Sequence, residues 1–330
     1  METKKTKLFF SSVVTISVLV LFVSYEVYHT MNTPEPLIPD MLISNSLRNY
    51  RRDGLLCKNK DFSPQHKKAV WTFLTYDTNY ILSTLKMGHA LRLYTTTEQF
   101  DMVIMELASK PLGSTAWRCL EEMGWKRCVV DRIKPLDEVG TQKIFPRFVD
   151  VLTKLQLWGM TMYQTLVFLD ADTLVLHSIS HLLQQKLQNQ TIAATAQIWC
   201  GEFQGVNTGV FVIHPSSNEY ERLLRLQQDP RFSYDISYAD QGFLNVVYED
   251  KWVDIGFINN ALVYTSWQNH VYWMRHYAVI NIIHFTGVKP WSCFPDNLSF
   301  IEWLTTPSAY YTEICKVWRD MPPQTCENLI

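Results

Sequence analysis

Residues 166–172, Leu-Val-Phe-Leu-Asp-Ala-Asp, constrain the fold of this chain more than any other stretch. Four apolar residues in a row do not fit a strand with one wet face. They fit a strand covered on both sides, as in a parallel sheet packed between helices. The run then stops at two carboxylates, Asp170 and Asp172, separated by Ala171. Side chains alternate along a strand, so both carboxylates can project to one side at its carboxyl end. That end of an open parallel sheet is where ligands bind. Two hard oxygen donors there suit Mn²⁺ or Mg²⁺, which in turn can bridge a diphosphate. An isolated Asp-x-Asp also describes an ordinary surface turn, so its surroundings must decide.

Those surroundings alternate. Ala69-Val70-Trp71-Thr72-Phe73-Leu74 is a β-rich apolar run, and helical spacing follows over residues 78–93. Strand-like segments recur at 101–105, 128–130 and 165–169, with helical patterns predicted at 114–123 and 148–163. Such alternation predicts an α/β domain built on a mostly parallel sheet with flanking helices, here placed at residues 69–330. Residues 29–68, with Pro34, Pro36, Pro39 and Pro64, read as a stem. There is no internal repeat and no low-complexity tract.

The amino terminus has a different character. Lys4, Lys5 and Lys7 precede a run without charge over residues 8–25. Eighteen such residues in a helix reach roughly 27 Å, close to the hydrocarbon thickness. No small-residue cleavage site follows, which favours a retained anchor over a cleaved signal. The expected layout is a cytoplasmic tail at 1–7, a transmembrane signal anchor at 8–28 and a lumenal remainder, as the lysine cluster directs. Two sequons, at Asn189 and Asn297, fit that compartment. An oxidising lumen also allows disulfides, and Cys119 with Cys128, or Cys315 with Cys326, are close enough in sequence to pair.

Composition closes off other classes. Thirty basic against thirty-two acidic side chains leave no basic excess for a phosphate backbone, so no nucleic-acid partner is expected. Seven cysteines without Cys-x-x-Cys spacing give neither a zinc site nor a disulfide scaffold. The aromatic residues Trp267, Tyr272 and Trp273 suit either a sugar-facing surface or the core, and the sequence leaves both open.

Further motifs follow in order: Lys154 on the segment before the Asp-x-Asp strand, Val206-Asn207-Thr208-Gly209-Val210-Phe211, Asp240-Gln241-Gly242-Phe243-Leu244-Asn245, and His284-Phe285-Thr286-Gly287-Val288-Lys289-Pro290-Trp291. Together with residues 152–176 they resemble glycosyltransferase family 8, the family of glycogenin and of plant glycogenin-like glucuronosyltransferases. The resemblance runs over about residues 69–291. It implies the fold called GT-A, a Rossmann-like α/β domain with a mixed, mostly parallel sheet.

By that resemblance Asp170, Asp172 and His284 would be metal ligands, with Mn²⁺ preferred and Mg²⁺ allowed. Leu74, Tyr76, Asp77 and Tyr80 would form the nucleotide site. Tyr80 and Asp77 also read simply as an aromatic contact beside a helix cap. Lys154 and Arg147 would contact the donor, as would Ala171, Gly287 and Lys289. Asn207, Thr208 and Gly209 would hold the transferred sugar, and Asp240 and Gln241 would lie at the reacting centre, with Lys154 assisting. Where glycogenin has an aspartate three residues before its Asp-Gln pair, this chain has Ser237. The implied function is a metal-dependent retaining glycosyltransferase that moves a sugar from a UDP-sugar to a glycan or glycoconjugate. The expected location is the Golgi membrane, with the endoplasmic reticulum as the other choice. A self-glucosylating primer and an inactive lumenal sugar-binding protein are the alternatives. A homodimer is compatible with the sequence.

Overall fold

In the computed structural model the described residues are 56–75, 77–134, 150–188, 190–287, 289–292 and 309–322. They belong to one compact unit, residues 49–330. The expected tail and anchor (1–28), the stem up to residue 55, Tyr76, Arg147, Asn189 and Asn297 lie outside the described residues. Among the described residues no helix is long and apolar enough to cross a membrane.

The amino-terminal half follows the sequence pattern. Strand β1 (Lys68–Leu74) leads to helix α1 (Thr78–Tyr94), β2 (Asp101–Leu107), α2 (Ser114–Glu122) and β3 (Trp125–Val130). A 3-10 helix (Val151–Gly159) then precedes β4 (Thr165–Leu169) and the short β5 (Thr173–Val175). The remainder comprises α3 (Ser180–Leu183), the hairpin β6 (Ile192–Trp199) and β7 (Glu202–Ile213), α4 (Ser217–Gln228), α5 (Ala239–Val247) and β8 (Trp252–Asp254). It ends with β9 (Ala261–Leu262), α6 (Thr265–Gln268), α7 (His270–His276), β10 (Ile282–His284) and α8 (Ala309–Asp320).

Seven strands form one sheet in the order β3-β2-β1-β4-β7-β6-β8. The β3-β2-β1-β4 half is parallel, and antiparallel pairing begins where β4 meets β7. This is a GT-A-like α/β fold. Every residue of β4 is buried, as an apolar run between two helical layers requires. Val167 and Leu169 pack into a core shared with α1 and α2. On the other face Phe168 stacks on Phe211, which stacks on Trp158 of the 3-10 helix. A second sheet, β5-β10-β9, carries its own core of Leu174, Val263, Trp273, Ile283, Phe285 and Trp318.

Three expectations need correction. The segment predicted as an α-helix over 148–163 is a 3-10 helix over Val151–Gly159, with residues 148 and 149 outside the described residues. Seven of its nine residues are buried, so no single apolar stripe sets its winding. Cys128 pairs with Cys57 and not with Cys119. Cys119 and Cys315 are disulfide-bonded as well, and among the described residues Cys200 is the free thiol. The Cys57–Cys128 bond fastens residues 56–67, read above as stem, onto the edge of the sheet. Lys58 N–H donates to Val129 O at 2.7 Å, and the Asn59 side chain accepts from Val129 N–H and donates to Arg127 O. Of the aromatic residues whose place the sequence left open, Trp273 is core and fully buried, whereas Tyr272 is exposed.

Candidate active site

The two sheets meet where β4 ends. The Asp170 N–H donates to Gly209 O at 2.7 Å, and the Asp170 carbonyl accepts both the N–H and the hydroxyl of Thr173. This turn sets Asp170 and Asp172 on one side and sends the chain into β5. Antiparallel pairing of β5 with β10 then lays His284 opposite Thr173. The Phe285 N–H donates to Asp172 O at 3.1 Å, which locks the register. As a result His284 Nε2 lies 3.4 Å from Asp172 Oδ1 and 3.9 Å from Asp170 Oδ2. One donor atom from each of the three residues falls within 4.8 Å of the others.

Gly209 makes room for this cluster. A Cβ there would lie 2.1 Å from His284 Cε1 and 3.0 Å from Asp170 Oδ2. The absent side chain is therefore a steric requirement of the cluster itself. Two carboxylates and an imidazole, converging with this spacing, fit a divalent cation that accepts both oxygen and nitrogen.

Two lysines, Lys154 buried and Lys289 half-buried, offset the carboxylates. Lys154 Nζ sits 2.9 Å from Asp170 Oδ1 and 3.1 Å from Asp240 Oδ2. Burial alone would make this lysine easier to deprotonate, but Asp170 and Asp240 outweigh it and raise its pKa well above the ordinary value. Lys289 Nζ pairs with Asp172 Oδ2 and donates to Phe285 O. Burial opposes ionisation of Asp172, yet Lys289 and His284 overcome it and hold that carboxyl well below the usual range. Asp170 is shifted the other way, upward, by burial and then by the neighbouring Asp172 charge, with Lys154 compensating in part. Adjacent carboxylates driven apart in this manner mark functional sites.

The second group of candidates lies alongside. Thr208 Oγ1 donates to Asp240 Oδ2 at 2.9 Å. Asn207 Nδ2 donates to Gln241 Oε1 at 3.1 Å and to Gln197 Oε1 at 3.0 Å, while Gln241 Nε2 reaches Gln197 Oε1 at 3.0 Å. Asp240 and Gln241 are held by a tight turn. Ala239 has φ 51°, a region that β-carbon-bearing residues rarely occupy. A Cβ on Gly242 would meet Asp235 O at 2.2 Å. The Ser237 hydroxyl, at the position where glycogenin has an aspartate, is taken up by Asp235 at 2.6 Å. Gln197 and Asn260 belong to this network and carry no sequence signal: a glutamine in an alternating strand and an asparagine beside another asparagine look like ordinary polar residues.

At the amino-terminal end of α1, Asp77 caps the helix by accepting the Asn79 N–H at 2.9 Å. Tyr80 meets Trp291 edge-on at 4.8 Å, and burial raises its pKa. Leu74 is fully buried beneath them, Ala171 is buried between the two aspartates, and Gly287 adopts φ 90° on the way to Lys289. The structure thus gathers Lys154, Asp170, Asp172, Asn207, Thr208, Gly209, Asp240, Gln241, His284 and Lys289 into one connected cluster.

Comparison with known proteins agrees with this geometry. A family model described as "Glycosyl transferase family 8" matches residues 72–293. Human glycogenin-1 is 31% identical over 230 residues, covering 67% of this chain and 62% of its own. Glycogenin-1 of Caenorhabditis elegans is 32% identical over 231 residues, covering 67% of this chain and 50% of its own. Inositol phosphorylceramide glucuronosyltransferase 1 of Arabidopsis thaliana is 30% identical over 200 residues, covering 58% of this chain and 32% of its own. The chain therefore spans about half the length of such relatives. Among solved structures, an active-site mutant of LgtC aligns with a TM-score of 0.53 at 15% identity, over 80% of this chain and all of its own, which supports the fold. With matched motifs across two thirds of its length, this chain belongs to glycosyl transferase family 8.

Proposed function

We propose that this chain transfers a sugar from a UDP-sugar to a separate glycan or glycoconjugate acceptor, with retention at the anomeric carbon. The observation that carries this reading is the convergence of Asp170, Asp172 and His284 beside the Lys154–Asp240 pair, at the carboxyl end of β4 in a family 8 frame. Asp170, Asp172 and His284 would hold the cation, Mn²⁺ in preference to Mg²⁺ because one donor is an imidazole. When bound, the ion supplies positive charge that stabilises the departing diphosphate.

The chain's own groups do the rest. Lys289, released from Asp172, offers a point charge to phosphate oxygens. Asp240 has its Oδ2 occupied by Lys154 and Thr208. That carboxylate is anchored and partly neutralised, which suits an acceptor for a sugar hydroxyl better than a strong nucleophile. Gln241 and Asn207, fixed to each other, present amide groups to the same sugar. In the transfer the bond from C1 to the diphosphate oxygen breaks with its electron pair leaving on UDP. The acceptor oxygen bonds to C1 and gives its proton to the departing diphosphate oxygen. Of the four tyrosines between the Asp240 and His284 motifs, Tyr248 is buried on Glu219 at 2.6 Å and Tyr264 is buried beside Trp199, so self-modification would have to use Tyr272 or Tyr277. The stretch around these does not resemble the glycogenin acceptor segment, which favours a separate acceptor. The uncharged run at 8–25 and the sequons support a lumenal domain of the Golgi membrane.

The test is UDP release from the purified protein with UDP-glucose, UDP-glucuronic acid, UDP-xylose, UDP-galactose and UDP-GlcNAc, with Mn²⁺ or with chelator. Turnover should require the metal and fall at least about a hundredfold in Asp170→Asn. Metal-independent turnover, or near wild-type activity of that variant at limiting Mn²⁺, would overturn the reading. Intact-protein mass spectrometry after incubation with donor should show an unchanged mass.

A further inference from the structure

His284 has two ring nitrogens with different neighbours. Nε2 faces the carboxylates, and Nδ1 lies 3.1 Å from Asn260 Oδ1. Asn260 is fully buried at the start of the second sheet and was not among the candidate residues. Its amide nitrogen lies 2.9 Å from Asn207 Oδ1, which also accepts the Gly209 N–H at 3.0 Å.

The polarity of this chain of groups follows from one fixed point. A backbone N–H can only donate, so the Asn207 atom facing Gly209 must be its oxygen. The Asn260 atom facing that oxygen must then be the NH₂, and the Asn260 oxygen is turned to His284. An acceptor there requires the proton on Nδ1, which leaves Nε2 with its lone pair aimed between Asp170 and Asp172. That is the tautomer a cation needs, and ligand histidines are ordinarily set this way by a hydrogen bond on the far nitrogen. The same logic runs outward: with its oxygen committed, Asn207 must give its NH₂ to Gln241 Oε1 and Gln197 Oε1.

We infer that Asn260 is a positioning residue that fixes the tautomer of His284 and braces Asn207, whose direction the Gly209 N–H sets, and with it the Gln241 amide, so one buried amide relay supports both the cation side and the sugar side of the site. The inference rests on the reading of Asp170, Asp172 and His284 as a cation site. The geometry gives the two ends of Asn260 separate jobs. Its oxygen serves His284, and its NH₂ serves Asn207.

Substitution separates the two. Asn260→Asp keeps an acceptor for His284 Nδ1 but replaces the donor to Asn207 with a second acceptor. Asn260→Ala removes both. Three readouts on the whole protein test this. The first is ¹⁵N NMR of the histidine rings without metal, above the imidazole titration range, with His284 assigned by its loss in His284→Gln. Wild type should show the Nδ1–H tautomer, and Asn260→Ala should shift toward Nε2–H. The second is Mn²⁺ binding to the donor-free protein by electron paramagnetic resonance. It should weaken roughly 10- to 100-fold in Asn260→Ala and stay within about threefold of wild type in Asn260→Asp, as for other carboxylate-backed ligand histidines. The third is the donor KM, which should rise in Asn260→Asp although the metal still binds.

An Nε2–H tautomer in wild type, or a folded Asn260→Ala protein with unchanged tautomer and unchanged Mn²⁺ affinity, would refute the relay. If Asn260→Ala does not fold, Asn260→Asp decides: loss of Mn²⁺ binding, or an unchanged donor KM with the metal still bound, refutes the division of roles. Wild type with the Nδ1–H tautomer but no Mn²⁺ binding would leave the relay standing and bring down the cation reading instead.

Discussion

Gly209→Ala adds one methyl group, and the structure says where it must go. The new Cβ would sit 2.1 Å from His284 Cε1 and 2.6 Å from Nδ1, against an ordinary contact of about 3.5 Å or more. Something has to move by roughly 1.5 Å. The β7 backbone is poorly placed to yield. The Gly209 carbonyl accepts from Asp170 N–H, its own N–H is held by Asn207, and the next residue, Val210, is paired with Leu169 in the sheet. The imidazole is therefore the part that gives way. A displacement of that size exceeds the roughly 0.2 Å tolerance of metal–ligand distances several times over. Mn²⁺ affinity should fall at least about tenfold. Overpacking should cost about 1–3 kcal/mol, a fall in Tm of roughly 2–10 °C for a domain of this size. Gly113→Ala is the matched control, because nothing lies within 4 Å of a Cβ there and its φ is −64°. That change should stay within about 1 kcal/mol. The assays are Mn²⁺ titration followed by electron paramagnetic resonance, and thermal unfolding without metal. If Gly209→Ala binds Mn²⁺ within twofold of wild type, His284 is not a ligand and the cluster has been misread.

Lys154→Met leaves Asp170 and Asp240 without their shared cation. It should destabilise the metal-free protein by about 3 kcal/mol, at the low end for a broken buried pair because Asp170 is partly reached by solvent. Added Mn²⁺ should then raise Tm by more than in wild type, and an equal rise would argue against charge compensation. Lys289→Ala removes a cation that competes for Asp172. Calorimetry should find tighter Mn²⁺ binding to the free protein and weaker binding of the donor, and a loss of both would contradict the competition. Glu219 accepts from Nε and Nη2 of Arg222 and from the Tyr248 hydroxyl. Burial opposes its ionisation, but those bonds win and depress its pKa. A depressed carboxylate contributes stability that is full above the unfolded value and is lost as pH falls through the folded one. Glu219→Gln should therefore flatten the acid limb of stability below roughly pH 5 and leave the neutral-to-alkaline side parallel to wild type. Urea midpoints measured across pH would show it, and an unchanged acid limb would disprove it.

The sequence pattern exposed what rests on continuous local runs. Strands β1, β2 and β4 are apolar at most positions because both faces are covered, and the two aspartates that follow β4 stand out against such a background. Helix α1 announced itself by spacing, and Asp77 could be read as a cap from residue type alone. What depends on distant pairing was hidden. β5 and β10 have three residues each and lie more than a hundred positions apart, so nothing local says that His284 will face Thr173. Cys119 looked like a partner for Cys128 because it is near in sequence, yet Cys128 lies on the edge strand β3, against the incoming segment at Cys57. The 3-10 helix misled for a related reason. Thr153 accepts from Ile133 N–H, Lys154 reaches Asp170, and Gln156 donates to Asp131 O, so neighbouring polar residues are all drawn inward by partners from other parts of the chain.

Residue type also concealed the most economical part of the site. Metal and sugar candidates could be found by resemblance because Asp, His and Lys are conspicuous on an apolar strand or before a glycine. Asn260 and Gln197 are amides in unremarkable surroundings, and each acts only through the direction in which its donor and acceptor ends point. That direction is fixed by the Gly209 N–H, a backbone group that residue type cannot identify. Gly209 thus has two separate duties. Its missing Cβ admits the His284 ring, and its N–H sets the polarity of the amides that orient the same ring. A side chain at this position would violate the first requirement while leaving the second intact. Alanine at 209 therefore probes space alone, and aspartate at 260 probes polarity alone. If both requirements are real, the two variants should diverge: Gly209→Ala should lose the cation while the amides keep their directions, and Asn260→Asp should keep the cation while the sugar side loosens.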